Sequence, residues 1–259
     1  MKTFGDYHTH TVLSHDGKCS IEDNVSAAAA AGLSEIAITE HGYGKNRKEV
    51  MPKDFAKVRE RVHNAGKKSG ISALFGIEAN IIGDKGEIDI KDNERRDLDI
   101  LLVGVHQNVK PKNLRTFFNF FLPNDICATL KLPFPKWLVR RNTRIVCDML
   151  EKVNPDILTH PNRYYKVDIL DVARVCAKRG ILLELNEKRV SFRPIDFERM
   201  LAVGAKFIIG SDAHTMNNVG KTTNVAEFLS KCTYNKEDII NLNGVFARPK
   251  PQIIKDIKE

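Results

Sequence analysis

Seven short apolar runs, each followed by a helical pattern, constrain this chain more than any other feature. Phe4–His8, Glu35–Thr39, Ser72–Ala79, Asp99–His106, Asp156–His160, Ile181–Asn186 and Lys206–Gly210 all read as buried strands. Between them lie helix signals. Ser20-Ile21-Glu22-Asp23 forms a capping box ahead of a helix that Gly32 can end. Pro52 opens a second helix, expected to run to Gly66, while Val167–Lys178 and Pro194–Ala202 are followed by Gly180 and Gly204. Alternation of this kind makes successive strands parallel, because each return needs a helical crossover. The expected fold class is α/β, and seven strands predict an incomplete or distorted (βα)7 TIM-like barrel. A chain of 259 residues is filled by one such unit, so a single domain over residues 1–259 is expected.

Two stretches break the alternation. Ile81–Ile90 reads as a hairpin with a glycine-containing turn. Residues 109–141 show no clean period, hold five phenylalanines and the only tryptophan, Trp137, and are expected to be an insertion between the fourth strand and its helix. Charge gathers there too. Lys110–Arg144 carries eight basic residues against one acid, Asp125, in a chain whose formal charge is +8, so the remainder is close to neutral. Such a segment either packs on the barrel with its charges solvated, or serves as a lid or docking surface for an anionic substrate or partner.

Several classes are disfavoured. The amino terminus enters a strand without an apolar leader region, and no apolar run approaches the roughly 20 residues that span a bilayer. The five cysteines are widely spaced and contain no C-x-x-C pair, as in a reduced chain. A cytoplasmic location is expected.

The histidines carry the chemistry. Six of eight fall at or just after the ends of expected strands: His8 and His10, His41, His106, His160 and His214. A parallel barrel gathers its active-site loops at that end. Glu78 ends the third strand, Asp212 precedes His214 by two residues, and Asp16 lies in the loop after His10. Extended residues i and i+2 share a face, so His8 with His10, and Asp212 with His214, can grip one ion or two neighbouring ions. A lone strand-end histidine is more often a hydrogen-bonded polar residue than a ligand. Nine such residues at one end of nearly every strand would need many independent structural reasons at once. Mixed imidazole and carboxylate donors suit zinc, manganese or iron, and a shared carboxylate lets two cations sit about 3.5–4 Å apart.

The segments DYHTHTVLSHDG, AITEHG, GIEAN followed by GEID, LLVGVHQ, ILTHPNR, LELN and GSDAHT stand in the order and spacing of the PHP (polymerase and histidinol phosphatase) motifs. Over about Asp6 to Thr215 the sequence resembles the stand-alone YcdX-like phosphatases of that family, and is similar also to the PHP module of bacterial X-family polymerases. The resemblance implies three divalent metal ions. It implies His8, His10, Glu78 and Asp212 as ligands of the first, Glu78, His106 and His160 of the second, and Asp16, His41 and His214 of the third. The loop position admits histidine or aspartate, so His15 stands as the alternative to Asp16. Asp6 and Glu40 are expected to orient imidazoles by accepting their N–H groups.

The reaction so implied is hydrolysis of a phosphate monoester by metal-activated water. Arg163, Lys188 and Arg189 follow the fifth and sixth strands and are candidate donors to phosphate oxygens. The expected partner is a small phosphorylated substrate. A nucleic-acid phosphodiesterase or exonuclease is the alternative, supported by the basic segment but not by aromatic platforms along a groove. A non-catalytic metal-binding interaction protein is a third reading, opposed by the complete ligand set. Oligomeric state, native metal and physiological substrate stay open.

Overall fold

The computed structural model describes residues 1–44 and 49–246, so the expected boundary at residue 259 lies outside the described residues. Seven parallel strands follow one another in sequence order: β1 (Gly5–Asp6), β2 (Glu35–His41), β3 (Ser72–Asn80), β4 (Ile100–Gly104), β5 (Ile157–Leu158), β6 (Leu182–Asn186) and β7 (Phe207–Gly210). A parallel bridge between Thr9 and Ala213 joins the exits of the last and first strands. The result is a nearly closed, distorted (βα)7 barrel, as the alternation predicts.

The helices are α1 (Ile21–Ala30), α2 (Phe55–Ser69), α3 (Leu114–Thr116), α4 (Leu122–Thr129), α5 (Lys136–Val153), α6 (Ile169–Arg179), α7 (Pro194–Ala202) and α8 (Thr223–Leu229). The Ser20–Asp23 capping box is present, and Gly180 ends α6 in the left-handed region. The second helix departs from expectation. Gly66 is buried inside α2, where a Cβ would meet Ala73 and the Ile71 carbonyl at 2.8 Å, so that glycine permits close packing on β3. The left-handed cap is Gly70 (φ 71°), one turn later.

Residues 81–90 close a hairpin turn through one antiparallel bridge, Ile81 to Ile88, without a ladder. Residues 114–129 are helical, with a π-helical turn over Phe117–Phe121 between α3 and α4, and α5 already begins at Lys136. The π turn shifts the helical period midway, which is why no clean repeat is visible in the sequence.

Strand alternation sorts the interior into two tiers. Ala37, Ile100, Leu102, Ile157, Leu182 and Ile208 form an apolar plug with Tyr7, whereas Ile36, Ile38, Leu101, Val103, Leu183 and Leu185 pack with the helices. Farther along the same strand faces stand Glu78 and Asn80 of β3 and Glu184 and Asn186 of β6. The apolar tier therefore ends where a polar one begins, at the carboxyl ends of the strands.

Candidate metal centre

The polar tier is a buried cluster centred on Glu78, which is 1% exposed. Its two oxygens face different histidines. Oε1 lies 2.8 Å from His160 Nε2 and 3.1 Å from His106 Nε2, and accepts from Thr159 Oγ1 at 2.8 Å. Oε2 lies 3.3 Å from His8 Nε2, 3.6 Å from His10 Nε2 and 3.1 Å from His41 Nδ1. Asp212 Oδ1 stands 3.8 Å from His8 Nε2 and 3.6 Å from His10 Nε2. Farther out, Asp16 Oδ2 meets His214 Nε2 at 3.2 Å and His41 Nε2 at 3.4 Å.

Hydrogen bonds fix which nitrogens carry lone pairs. The Asn80 amide donates from Nδ2 to Asp89 Oδ2 (2.7 Å), so its Oδ1 must accept from His106 Nδ1 (2.8 Å). His106 Nε2 is then a lone pair aimed at His160 Nε2, 3.1 Å away. Likewise His8 Nδ1 donates to Glu184 Oε1 (2.6 Å), and its Nε2 faces His10 Nε2 at 3.1 Å. Buried His10 Nδ1 and Asp16 Oδ1 have no hydrogen-bond partner.

Electrostatics follow the same layout. Burial disfavours charge on His8, but Glu184, Glu78 and Asp212 outweigh it and hold its pKa well above the ordinary value. Burial, followed by repulsion from His41, His214 and His8, holds His10 well below it. Burial opposes ionisation of Glu78 and Asp212. Neighbouring imidazoles, His106 and His8 foremost, still keep Glu78 well below the usual range, and His8 and Lys188 bring Asp212 down to about 2.

This donor set fits divalent cations. Ligand atoms around a tetrahedral ion with bonds near 2.0–2.1 Å are about 3.3 Å apart. The recorded separations among His8, His10, Glu78 and Asp212 run from 3.1 to 3.8 Å. The trios His8–His10–Glu78, His10–His41–His214 and His41–Glu78–His106 each bring ligand atoms close enough to share an ion. Backbone geometry is bent to this end, since His160 (φ 28°) and Asp212 (φ 52°) occupy the left-handed region that non-glycine residues rarely adopt. Gly104 leaves room, because a Cβ there would stand 2.7 Å from the His106 ring and 3.0 Å from Glu78 Oε1.

A family profile described as PHP domain matches residues 6–188. The chain belongs to the PHP family. A protein named probable phosphatase from Shewanella sediminis (strain HAW-EB3) is 27% identical over 256 residues, spanning 93% of this chain and 90% of its own. Another probable phosphatase, from Edwardsiella ictaluri (strain 93-146), is 28% identical over 245 residues, with 91% and 89% covered. Among solved structures, histidinol phosphate phosphatase from Lactococcus lactis, complexed with zinc, L-histidinol and phosphate, shares the fold. Its TM-score is 0.60 at 16% identity, over 90% of this chain and 95% of that one.

In this PHP chain the nine expected ligands converge on one cluster. His15, the alternative to Asp16, is held by Glu49 (His15 Nδ1 to Oε1, 2.6 Å) and turns its Nε2 toward Asp16 Oδ2 at 3.7 Å, so that His15, Asp16 and His41 also bring ligand atoms close enough to share an ion. At the rim, Arg163 Nη1 donates to Asp212 Oδ2 (3.1 Å) and its guanidinium stacks on Tyr164 (5.3 Å). Lys188 Nζ donates to Asp212 Oδ1 (2.9 Å). Arg189 is exposed and lies near enough to Lys166 to help burial lower that lysine's pKa.

Two expected roles are corrected. Glu40 does not receive an imidazole N–H. It shares a strand face with Ile36 and Ile38, opposite His41, and accepts from Thr11 Oγ1 (2.5 Å) and Ser14 Oγ. Burial, despite those bonds, pushes its pKa up to about 7. Asp6 instead ties Ser211 (Oγ to Oδ2, 2.5 Å) and the Gly220 amide (2.8 Å) to the start of the chain. Around the cluster, Glu184 and Asn80 instead accept from the His8 and His106 rings, and Glu49 from His15. A carboxylate in the middle of the apolar run LLELN was the sequence signal for Glu184.

Proposed function

We propose that this chain is a phosphatase that hydrolyses phosphate monoesters of a small metabolite with three divalent metal ions. Zinc, manganese or iron suits the donors. His8, His10, Glu78 and Asp212 hold the first ion, Glu78, His106 and His160 the second, and Asp16, His41 and His214 the third. The observation that carries this reading is the split of Glu78, with Oε1 toward one histidine pair and Oε2 toward the other. Relatives named as phosphatases along nine-tenths of the chain support the same reaction class.

Bound divalent ions acidify water and neutralise phosphoryl oxygens. The chain's own side chains do the rest. Arg163 and Lys188 reach the rim as cations that can pass from Asp212 to a phosphate oxygen, and Arg189 extends the positive rim outward. Glu184 and Asn80 hold the His8 and His106 rings in the tautomer that leaves Nε2 bare. Tyr164, edge-on to His160 at 5.9 Å, walls one side against water.

The test is a panel of phosphomonoesters including L-histidinol phosphate, with a phosphodiester and single-stranded DNA, assayed with zinc or manganese and with chelator. Metal-dependent turnover of monoesters alone is expected. Cleavage of DNA or the diester with no monoester turned over would contradict the reading.

A further inference from the structure

Residues 114–140 leave a large apolar face in water. Leu114, Phe118, Ile126, Leu130, Leu132 and Trp137 are between 45% and 76% exposed. The first four are spaced by four or eight residues along one helical run, with the π turn inside it, and so they form a stripe. The opposite face is already satisfied. Phe120 and Phe121 are buried, Phe120 packs edge-on to Tyr165 at 5.4 Å, and Asn124 and Asn142 exchange amide hydrogen bonds of 2.8 and 2.7 Å. The run is therefore fixed to α5 by its inner side and apolar on its outer side as well. An exposed apolar stripe of this kind marks an interaction surface.

Its charge identifies the partner. Lys131, Lys136, Arg140 and Arg144 are exposed around the stripe, and no carboxylate pairs with them among the described residues. The single acid of the stretch, Asp125, is turned inward to accept from Tyr165 Oη at 2.6 Å. We propose that residues 114–140 are a docking surface for an anionic lipid bilayer. Aliphatic and aromatic side chains enter the headgroup boundary while lysines and arginines meet lipid phosphates. A second copy of the chain would bring the same cations face to face across a twofold axis. Single-stranded nucleic acid would need ring platforms, yet four of the six exposed side chains are aliphatic, and the Trp137 face is covered by Arg141 at 5.1 Å. No helix among the described residues is long and apolar enough to cross a membrane, so the contact is peripheral.

Trp137 is the only tryptophan and reports on its own site. Full-length protein would be titrated with vesicles of phosphatidylcholine alone or with roughly one-third phosphatidylglycerol. A blue shift of Trp137 emission and co-sedimentation are expected with the anionic vesicles only, reversed by high salt. Phe118→Ser, Ile126→Ser and Leu130→Ser together should weaken partitioning at least about tenfold. Replacing Lys131, Lys136 and Arg140 by Ser should weaken it on the order of a hundredfold, since each cation near such a surface is worth about fivefold. Phosphatase activity without vesicles should be unchanged in both variants, which shows that they fold. No response to anionic vesicles, or equal binding to phosphatidylcholine alone, would overturn the proposal. A response to a single-stranded oligonucleotide in place of vesicles would overturn it in favour of nucleic acid. Dimerisation that already buries Trp137 and is lost in the serine variants would do so in favour of self-association.

Discussion

Glu184 shows how one unannounced side chain can govern a cluster. Its Oε1 accepts from His8 Nδ1, and its Oε2 accepts from the His160 amide (2.7 Å) and from Asn186 Nδ2 (3.0 Å). These three donors thus need two acceptor oxygens, one turned to His8 and one to the His160 backbone. Glu184→Gln offers only one, and must turn an NH2 toward either His8 or the strained His160 backbone. Such outer contacts typically set metal affinity or activity by about 10–100-fold. We expect a loss of that size in metal affinity and in kcat/KM, with little change in Tm, measured by competition with a chromogenic chelator and by steady-state kinetics. Unchanged affinity would show that Glu184 is not a positioning residue. The nine expected ligands were legible because histidines and acids are conspicuous at the ends of apolar runs. Glu184, Asn80 and Glu49 were not, because a polar residue's partner lies in another strand or loop, and no local spacing records it.

At the scale of elements, the strands were legible and the helix boundaries less so. Buried parallel strands announce themselves as unbroken apolar runs, whereas Gly66 and Gly70 differ only in what lies beside them. Asp99, just before β4, shows how helix and sheet are joined. It accepts from Arg59 Nε (2.8 Å), His63 Nε2 (2.7 Å) and the Phe75 amide (3.0 Å), so it clips α2 to β3. Burial opposes its charge, but the Arg59 and Phe75 hydrogen bonds and His63 keep its pKa below the ordinary 3.8. A depressed carboxyl pKa stabilises the fold above the unfolded value and loses that contribution as pH falls through the folded one. Asp99→Asn should therefore cost about 1–3 kcal/mol near neutrality. That gap, followed by denaturant unfolding, should hold from neutral pH down to the usual aspartate range and shrink below it. A gap that widened with acid would contradict the assignment.

For the whole molecule, the barrel is a two-tier device. An apolar plug closes the interior below, and the strands run upward into polar residues or hand over to segments that carry them, as β1 does to His8 and His10 and β5 to Thr159 and His160. The proposed ligands come from six strand ends that only closure of the sheet brings together, which is why the sequence carries them as a pattern but not as distances. The central claim is that Glu78 serves two ions at once, and metal stoichiometry tests it most directly. Wild-type protein, Glu78→Ala and His160→Ala would be purified alike, confirmed folded by circular dichroism, and analysed for metal per chain by inductively coupled plasma mass spectrometry. The account predicts that Glu78→Ala loses more than one ion relative to wild type, whereas His160→Ala mainly weakens one. Full occupancy with normal activity in Glu78→Ala would contradict it.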